Sequence, residues 1–337
     1  MSEFHIRVVE IGEVTKHNNA DSLSLTVIGG DGGYPVLFRN GEYAKGDRAV
    51  YVPVGAAVPA DDPRWAFLVK PGSTKPYVEI EAKRLRGVFS MGILTAADPA
   101  WEVGRDVVNE LRIVRAEDLE AGQSSTGGAS DGEGVPDPGL MPCYTDIEGL
   151  RAHGGVLIDG EEVILTEKCH GMNARFVLGD DGALYVGSRT RWVNASGNTA
   201  WATTARRIGL AERLARVPGI GVYGELYGNV NGMRYDATAS ENKLCLFDAM
   251  DLRSRRYLDY DDFVDVAAKM GLPTAPLLYR GPWSNDLRAM ADGPSTLNAA
   301  HTREGFVVRP VRERYGHIGR VLLKYVGERY LTKAWKL

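Results

Sequence analysis

Cysteine is scarce in this sequence and never paired locally. Cys143, Cys169 and Cys245 are far apart in 337 residues, with no Cys-x-x-Cys and no Cys/His cluster. That argues against a disulfide framework and against structural zinc. No apolar run approaches the roughly 20 residues a membrane helix needs. The first residues, "MSEFHIRVVEIGEV", are acidic and alternating, unlike a signal peptide, so a cytoplasmic location without a membrane partner is expected. Neither G-x-G-x-x-G nor G-x-x-x-x-G-K-[ST] follows a strand-like run, which leaves Rossmann and P-loop nucleotide sites with little support. Lys and Arg are absent from 117–148, which carries eight Asp/Glu. Residues 301–337 reverse this, with nine Lys/Arg against three Asp/Glu, so the formal charge of −4 hides a basic C-terminal end.

What is present suits a globular protein: 44% hydrophobic and 25% charged residues, enough for a sizeable core. The stretch "AGQSSTGGASDGEGVPDPG" (121–139) has almost nothing apolar and reads as a flexible linker. It predicts three parts: 1–116, an acidic linker at 117–139, and 140–337. The first part reads as about five short strands separated by Gly, Asn and Asp, which predicts a small β-barrel of OB type. The second mixes strand-like runs with two amphipathic segments, "TTARRIGLAERLARV" and "DDFVDVAAKMG", the latter closed by Gly271. "GDDG" (179–182) marks a hairpin turn. The irregular order of elements predicts an α+β fold.

"LTEKCHGMNARF" (165–176) places two nucleophiles side by side, Lys168 and Cys169. From the cysteine, Cys169 to Arg175 has the Cys-x5-Arg spacing of a phosphate-cradling thiol loop. Such a loop needs a helix N-terminus after it, and the residues that follow read as a hairpin. Cys169 is therefore expected to be a packed strand residue. From the lysine, Lys168 is followed by Gly171, where a phosphate could come close. A free lysine has a pKa of about 10.4, so about one in a thousand is neutral near pH 7.4. Burial beside another cation can lower that and produce a nucleophilic amine.

The segments after Lys168 run in the order "SRTRW" (188–192), "GVYGELYG" (221–228), "KLCLFDAMD" (243–251), "REGFVVRP" (303–310) and "RVLLKYV" (320–326). Over about 160–330 this set resembles the covalent nucleotidyltransferases: ATP-dependent DNA and RNA ligases and mRNA capping enzymes. The Glu167–Asn173 form looks most like RNA ligases that seal nicks in duplexes. The resemblance implies that Lys168 attacks the α-phosphate of ATP and holds AMP as a phosphoramidate. AMP then passes to a 5′-phosphate, and an RNA 3′-OH displaces it. It implies that Phe247 stacks on adenine, and that Glu167, Arg189, Glu225 and Lys324 bind ATP or AMP. Glu304, with Glu225, would hold Mg²⁺ or Mn²⁺. Lys324 would contact the α-phosphate and lower the Lys168 pKa. His170 and Asn173 match motif positions without a separable role.

One position departs from the family. Leu322 stands where a second lysine is usual, and Arg320 is a candidate substitute. Residues 1–115 resemble OB-type modules of tRNA-binding proteins, with Lys83, Arg84 and Arg86 as candidate phosphate contacts. An OB module before the transferase, and none after it, looks like an RNA-repair ligase clade. The implied partner is nicked duplex nucleic acid with an RNA 3′-OH end, together with end-processing repair enzymes. A capping guanylyltransferase, a DNA ligase and a non-catalytic RNA-binding protein remain alternatives, with a Cys169 phosphatase last.

Overall fold

The computed structural model describes residues 4–30, 32–116, 119, 134–145, 147–230, 233–235 and 241–333. Most of the segment expected to be a linker, 117, 118 and 120–133, lies outside them. The chain divides into two compact units, Met1–Gly128 and Ala129–Leu337.

The first unit is built of short strands. Arg7–Glu10, Arg48–Val52 and Ile93–Ala96 form one antiparallel sheet; Thr15–Lys16, Leu23–Ile28 and Tyr34–Arg39 form a second; Val114–Arg115, Ala56–Pro59 and Tyr77–Glu79 form a third. Alternating apolar residues (Val8, Val50, Val52, Val58) meet Trp65 and Ile80 in its core. Among the described residues the pairing runs in short separate ladders, as in a small, partly open barrel. Pro35 has no N–H to extend its ladder. The Tyr34–Arg39 strand reaches the next hairpin only through Leu37 N–H to Ser90 Oγ (3.0 Å) and Met91 N–H to the Pro35 carbonyl (2.7 Å). That hairpin, Lys83–Leu85 with Val88–Ser90, turns on Arg86 and Gly87, both at positive φ, as a tight two-residue turn requires.

The second unit stacks two sheets. Its main strands are β1 (Glu162–Glu167), β2 (Met172–Leu178), β3 (Leu184–Ser188), β4 (Ile220–Tyr227), β5 (Lys243–Asp251), β6 (Leu277–Pro282), β7 (Gly305–Pro310) and β8 (Leu323–Val326). A seven-stranded antiparallel sheet runs Gly134–Val135, Trp192–Val193, β3, β2, β4, β5, Arg256–Tyr257. A five-stranded sheet runs Glu148–Gly149, β8, β7, β1, β6, parallel only at its first pair. β2 and β3 join at the expected turn, where Gly182 N–H donates to the Gly179 carbonyl. Side chains of β2 alternate between faces. Phe176 packs with Val222, Leu246 and Phe263 on the helix side, while Val177 packs with Tyr223, Met250 and Leu322.

The helix α2 (Tyr260–Met270) ends at Gly271, whose left-handed φ of 64° closes it. The first amphipathic segment differs from expectation. It forms α1 (Ala200–Arg207) and a separate turn at Leu210–Leu214, because Gly209 takes φ 60° between them. A short helix, α3 (Glu328–Leu331), follows β8. Among the described residues no helix is long and apolar enough to cross a membrane.

One buried ionic cluster ties the two sheets together. Asp248 of β5, fully buried, faces Arg309 of β7 at 3.1 Å and Arg320 at 2.6 Å, and accepts the Tyr144 hydroxyl at 2.7 Å. Arg320 also pairs with Glu313 at 2.6 Å and lies over the Tyr257 ring at 3.8 Å. Burial pushes the Asp248 carboxyl up, but Arg320 and Arg309 outweigh it and hold it below the usual carboxylate range. Removing Asp248 would leave two buried guanidinium groups undercompensated. Asp248→Ala should therefore lose about 3–5 kcal/mol in urea unfolding. Asp261→Ala, which breaks an exposed pair with Arg280, should lose less than about 1 kcal/mol. Equal losses would refute this assignment of the clamp.

Candidate active site

Lys168 follows β1 directly. Its N–H donates to the Gly305 carbonyl at the start of β7 (3.0 Å), which brings the lysine beside Glu304. The Lys168 ammonium donates to Glu304 Oε1. His170 Nδ1 lies 3.7 Å from the other Glu304 oxygen and shares a 2.6 Å hydrogen bond with the Tyr330 hydroxyl of α3. The His170 N–H donates to the Tyr235 hydroxyl (2.9 Å).

Glu225 of β4 faces Asn173 of β2 across the ladder and Cys245 of β5 on its other side. Gly171 makes this approach possible. A Cβ there would run into the Leu226 carbonyl and Glu225 Cγ. The expectation that Gly171 makes room for a phosphate is thereby corrected: β4 occupies that space. Asn173 Oδ1 is buried with no hydrogen-bond partner in the structure, an acceptor directed into the site.

Electrostatics set a definite resting state. Burial pulls the Lys168 ammonium down, but the Glu304 carboxylate beside it outweighs burial, and the net direction is up. The expected lowering is therefore reversed, because the nearest strong charge is an anion. Burial pushes Glu304 up, yet Lys168 and then His170 hold it below the usual range. Glu225 has no such close partner. Burial pushes it up to about 8, with Lys168 and Arg189 opposing and Glu304 adding.

The other anticipated residues fall in three groups. Arg189, exposed in the turn after β3, acts electrostatically on Glu225. Phe247 sits in β5 where the β4–β5 register shifts, since Tyr223 pairs Asp248 and Gly224 pairs Leu246. Such a bulge re-aims a side chain. Phe247 is half-buried, edge-on to Tyr144 and packed against Cys169 and Cys245. Lys324 is exposed on β8, two residues before Val326, which pairs with Gly305.

Glu167 is not turned toward this group. It is buried, and its carboxylate accepts from the Ser295 hydroxyl and the Thr296 N–H (2.7 Å). Lys83, Arg84 and Arg86 lie in the first unit. Lys83 pairs with Glu81 at 2.8 Å, Arg84 donates to the Gly87 carbonyl, and Arg86 to the Asn19 carbonyl. Arg320 cannot stand in for a missing phosphate ligand, since Asp248 and Glu313 occupy its guanidinium. Leu322 is core.

The thiol reading fails on geometry. Cys169 Sγ faces Cys245, and Arg175 is buried on β2 over the Trp192 ring at 4.1 Å. Sequence reasoning missed Tyr235, Ser295 and Tyr330. They reach the site through contacts 65, 128 and 160 residues long, with no local pattern to mark them.

Residues 161–326, a span that includes Lys168, His170, Asn173, Glu225, Phe247, Glu304 and Lys324, match the family described as RNA ligase. Solved structures of similar fold cover the rest of the chain as well. A Naegleria gruberi RNA ligase variant with ATP and Mn matches 98% of this chain and 99% of its own, with a TM-score of 0.82 at 22% identity. The same ligase with PPi matches 97% and 98% at TM-score 0.80, again 22% identical. A variant with AMP and Mn matches 97% and 98% at 0.79 and 22% identity. At this identity the likeness establishes the α+β fold. No curated protein matches the chain.

The Glu225 direction carries a sign that can be measured. Below about pH 4.3 the group is protonated in both folded and unfolded chains. Between there and about 8 the unfolded chain ionises while the folded one keeps its proton. Stability therefore falls as pH rises, by at most about 1.4 kcal/mol per unit from this group. Urea unfolding between about pH 5 and 8 should show a shallower fall in Glu225→Gln. Parallel profiles would remove the assignment.

Proposed function

We propose that this chain is an ATP-dependent RNA ligase that works through a covalent lysyl-AMP on Lys168. The observation that carries the reading is the convergence of Lys168, Glu304, Glu225 and Asn173 within the family segment, in the order the motifs require. An amine suits the transfer because its P–N bond holds AMP until the nitrogen is protonated. In the resting site Glu304 keeps Lys168 protonated, so the pair must separate before attack. Glu225 and Glu304 are the carboxylates that would hold Mg²⁺ or Mn²⁺ here, and the cation would supply charge neutralisation for the phosphates. The burial that leaves Glu225 reluctant to ionise fits a place for an added positive charge.

Phe247 would supply a face for adenine, Asn173 Oδ1 an acceptor, and Arg189 and Lys324 cations for the nucleotide. Glu167 would act at one remove, by fixing the Ser295–Thr296 turn against the end of β1. The exposed Lys83, Arg84 and Arg86 hairpin would bind the nucleic-acid backbone. The substrate would be a nick with an RNA 3′-OH and a 5′-phosphate in a duplex, which places the enzyme in RNA repair.

Two measurements test this. With α-³²P-ATP and Mg²⁺, the wild type and Cys169→Ala should take up an acid-labile label, and Lys168→Ala should take up none. Glu304→Gln should label at least about a hundredfold more slowly. No label on the wild type ends the reading. Sealing should require a ribose at the 3′-OH end; equal sealing of all-DNA nicks would remove the RNA assignment.

Replacing Lys83, Arg84 and Arg86 together by Ser should weaken sealing, most of all at low salt, while leaving labelling intact. The salt slope of binding should fall by about 2–3. An unchanged slope would take the hairpin out of the interface.

A further inference from the structure

The site contains a second chemically competent pair that the ligase reading leaves unused. Cys169 and Cys245 are 76 residues apart in sequence, yet their sulfurs stand 3.5 Å apart. Both are buried, at 8% and 1% exposure, in an apolar cluster with Ala275 that Phe247, Tyr227 and Leu297 border. Neither sulfur is in a disulfide. Cys169 is bonded directly to Lys168. Cys245 lies opposite Glu225 on the adjacent strand.

We propose that Cys169 and Cys245 form a reversible disulfide in the folded protein, and that closing it disables Lys168. The oxidant is a small hydroperoxide. The Cys169 sulfur, the more exposed of the two, attacks a peroxide oxygen. The O–O bond breaks, giving a sulfenic acid and one water or alcohol. The Cys245 thiol then attacks that sulfur, the S–O bond breaks, the S–S bond forms and a second water leaves. Each sulfur is oxidised by one electron and the peroxide is reduced by two.

Closure must bring the sulfurs from 3.5 Å to about 2.0 Å. Cys245 is held within a nine-residue strand paired on β4, so the 168–171 loop makes most of that movement. A shift of about 1 Å at a reacting group can cost on the order of a hundredfold in rate. The neighbouring Cys245 thiol and burial push the Cys169 thiol well above its usual range, so oxidation is slow at neutral pH and quickens as pH rises. The loss of activity rests on the reading of Lys168 as the AMP acceptor; the cross-link does not.

The test uses the full chain in its native state, treated with hydrogen peroxide and then mapped by peptide mass. The expected product is a Cys169–Cys245 cross-linked peptide, two hydrogens lighter than its parts and restored by dithiothreitol. ATP labelling of the oxidised wild type should fall at least about tenfold and return on reduction. Cys245→Ala should keep its labelling under the same treatment. Cys143→Ala should behave as wild type, since Cys143 is exposed and has no partner cysteine. Oxidation confined to Cys143, a cross-link that forms only in urea, or a cross-link that leaves labelling unchanged would each overturn the proposal. Absence of labelling in the reduced wild type would instead sink the ligase reading, and the peptide map would still decide whether the disulfide exists.

Discussion

The placement of everything in the second unit depends on one carboxylate. Among the described residues Asp248 is the carboxylate that the large sheet contributes to the ion cluster. Its partners, Arg309 and Arg320, flank or belong to the small sheet. An apolar interface alone permits sliding, because packing is tolerant of small shifts. Three polar contacts on one fully buried group are not, because any shift leaves a charge unmet. Phe247 is the neighbour of Asp248, and Glu304 lies five residues before Arg309. The clamp therefore sets the spacing between Phe247 and the Glu304–Lys168 pair.

Inside that frame the site stores charge in a particular pattern. Lys168 and Glu304 neutralise each other, and the His170 ring lies against the same carboxylate, held in place by Tyr330. Glu225 is left with burial unrelieved. The arrangement is balanced without a ligand's charge but has one carboxylate that gains from a cation. A nucleotide arriving with a divalent ion would supply both what Glu225 lacks and what competes for Glu304. The same two carboxylates that keep the amine protonated thus become the means of freeing it. That sequence of events needs no large motion, only exchange of one ionic partner for another.

Much of this was legible in the sequence, and the failures share a cause. Strand identities, the "GDDG" turn, the α2 stop at Gly271 and the gathering of Lys168, Glu225 and Glu304 follow from local pattern or ordered motifs. What failed required knowing which groups meet across the fold. Arg320 read as a spare cation, yet tertiary packing spends it on Asp248 and Glu313. Gly171 read as clearance for a phosphate, yet the obstacle is the backbone of β4. The direction of the Lys168 shift was misjudged because the nearest charge is Glu304, 136 residues away, and not a lysine. The single expected helix broke at Gly209. There one residue's backbone chemistry outweighed the surrounding pattern.

Lys168 and Cys169 show how far context can separate adjacent nucleophiles. Beyond the end of β1 their side chains diverge. One meets a carboxylate and remains a quarter exposed, while the other enters an apolar cluster against a second thiol. Burial acts on both, but it opposes charge on each in opposite senses. It works toward a neutral amine and toward a neutral thiol, so it primes the lysine and silences the cysteine. Glu304 above all holds the lysine back, with a smaller contribution from Glu225, and that restraint can be exchanged for substrate charge. The cysteine has no comparable release through ionisation; its available chemistry is with Cys245. The two neighbours are therefore suited to different reagents, a phosphate for one and an oxidant for the other, and the 168–171 loop is where the two chemistries meet.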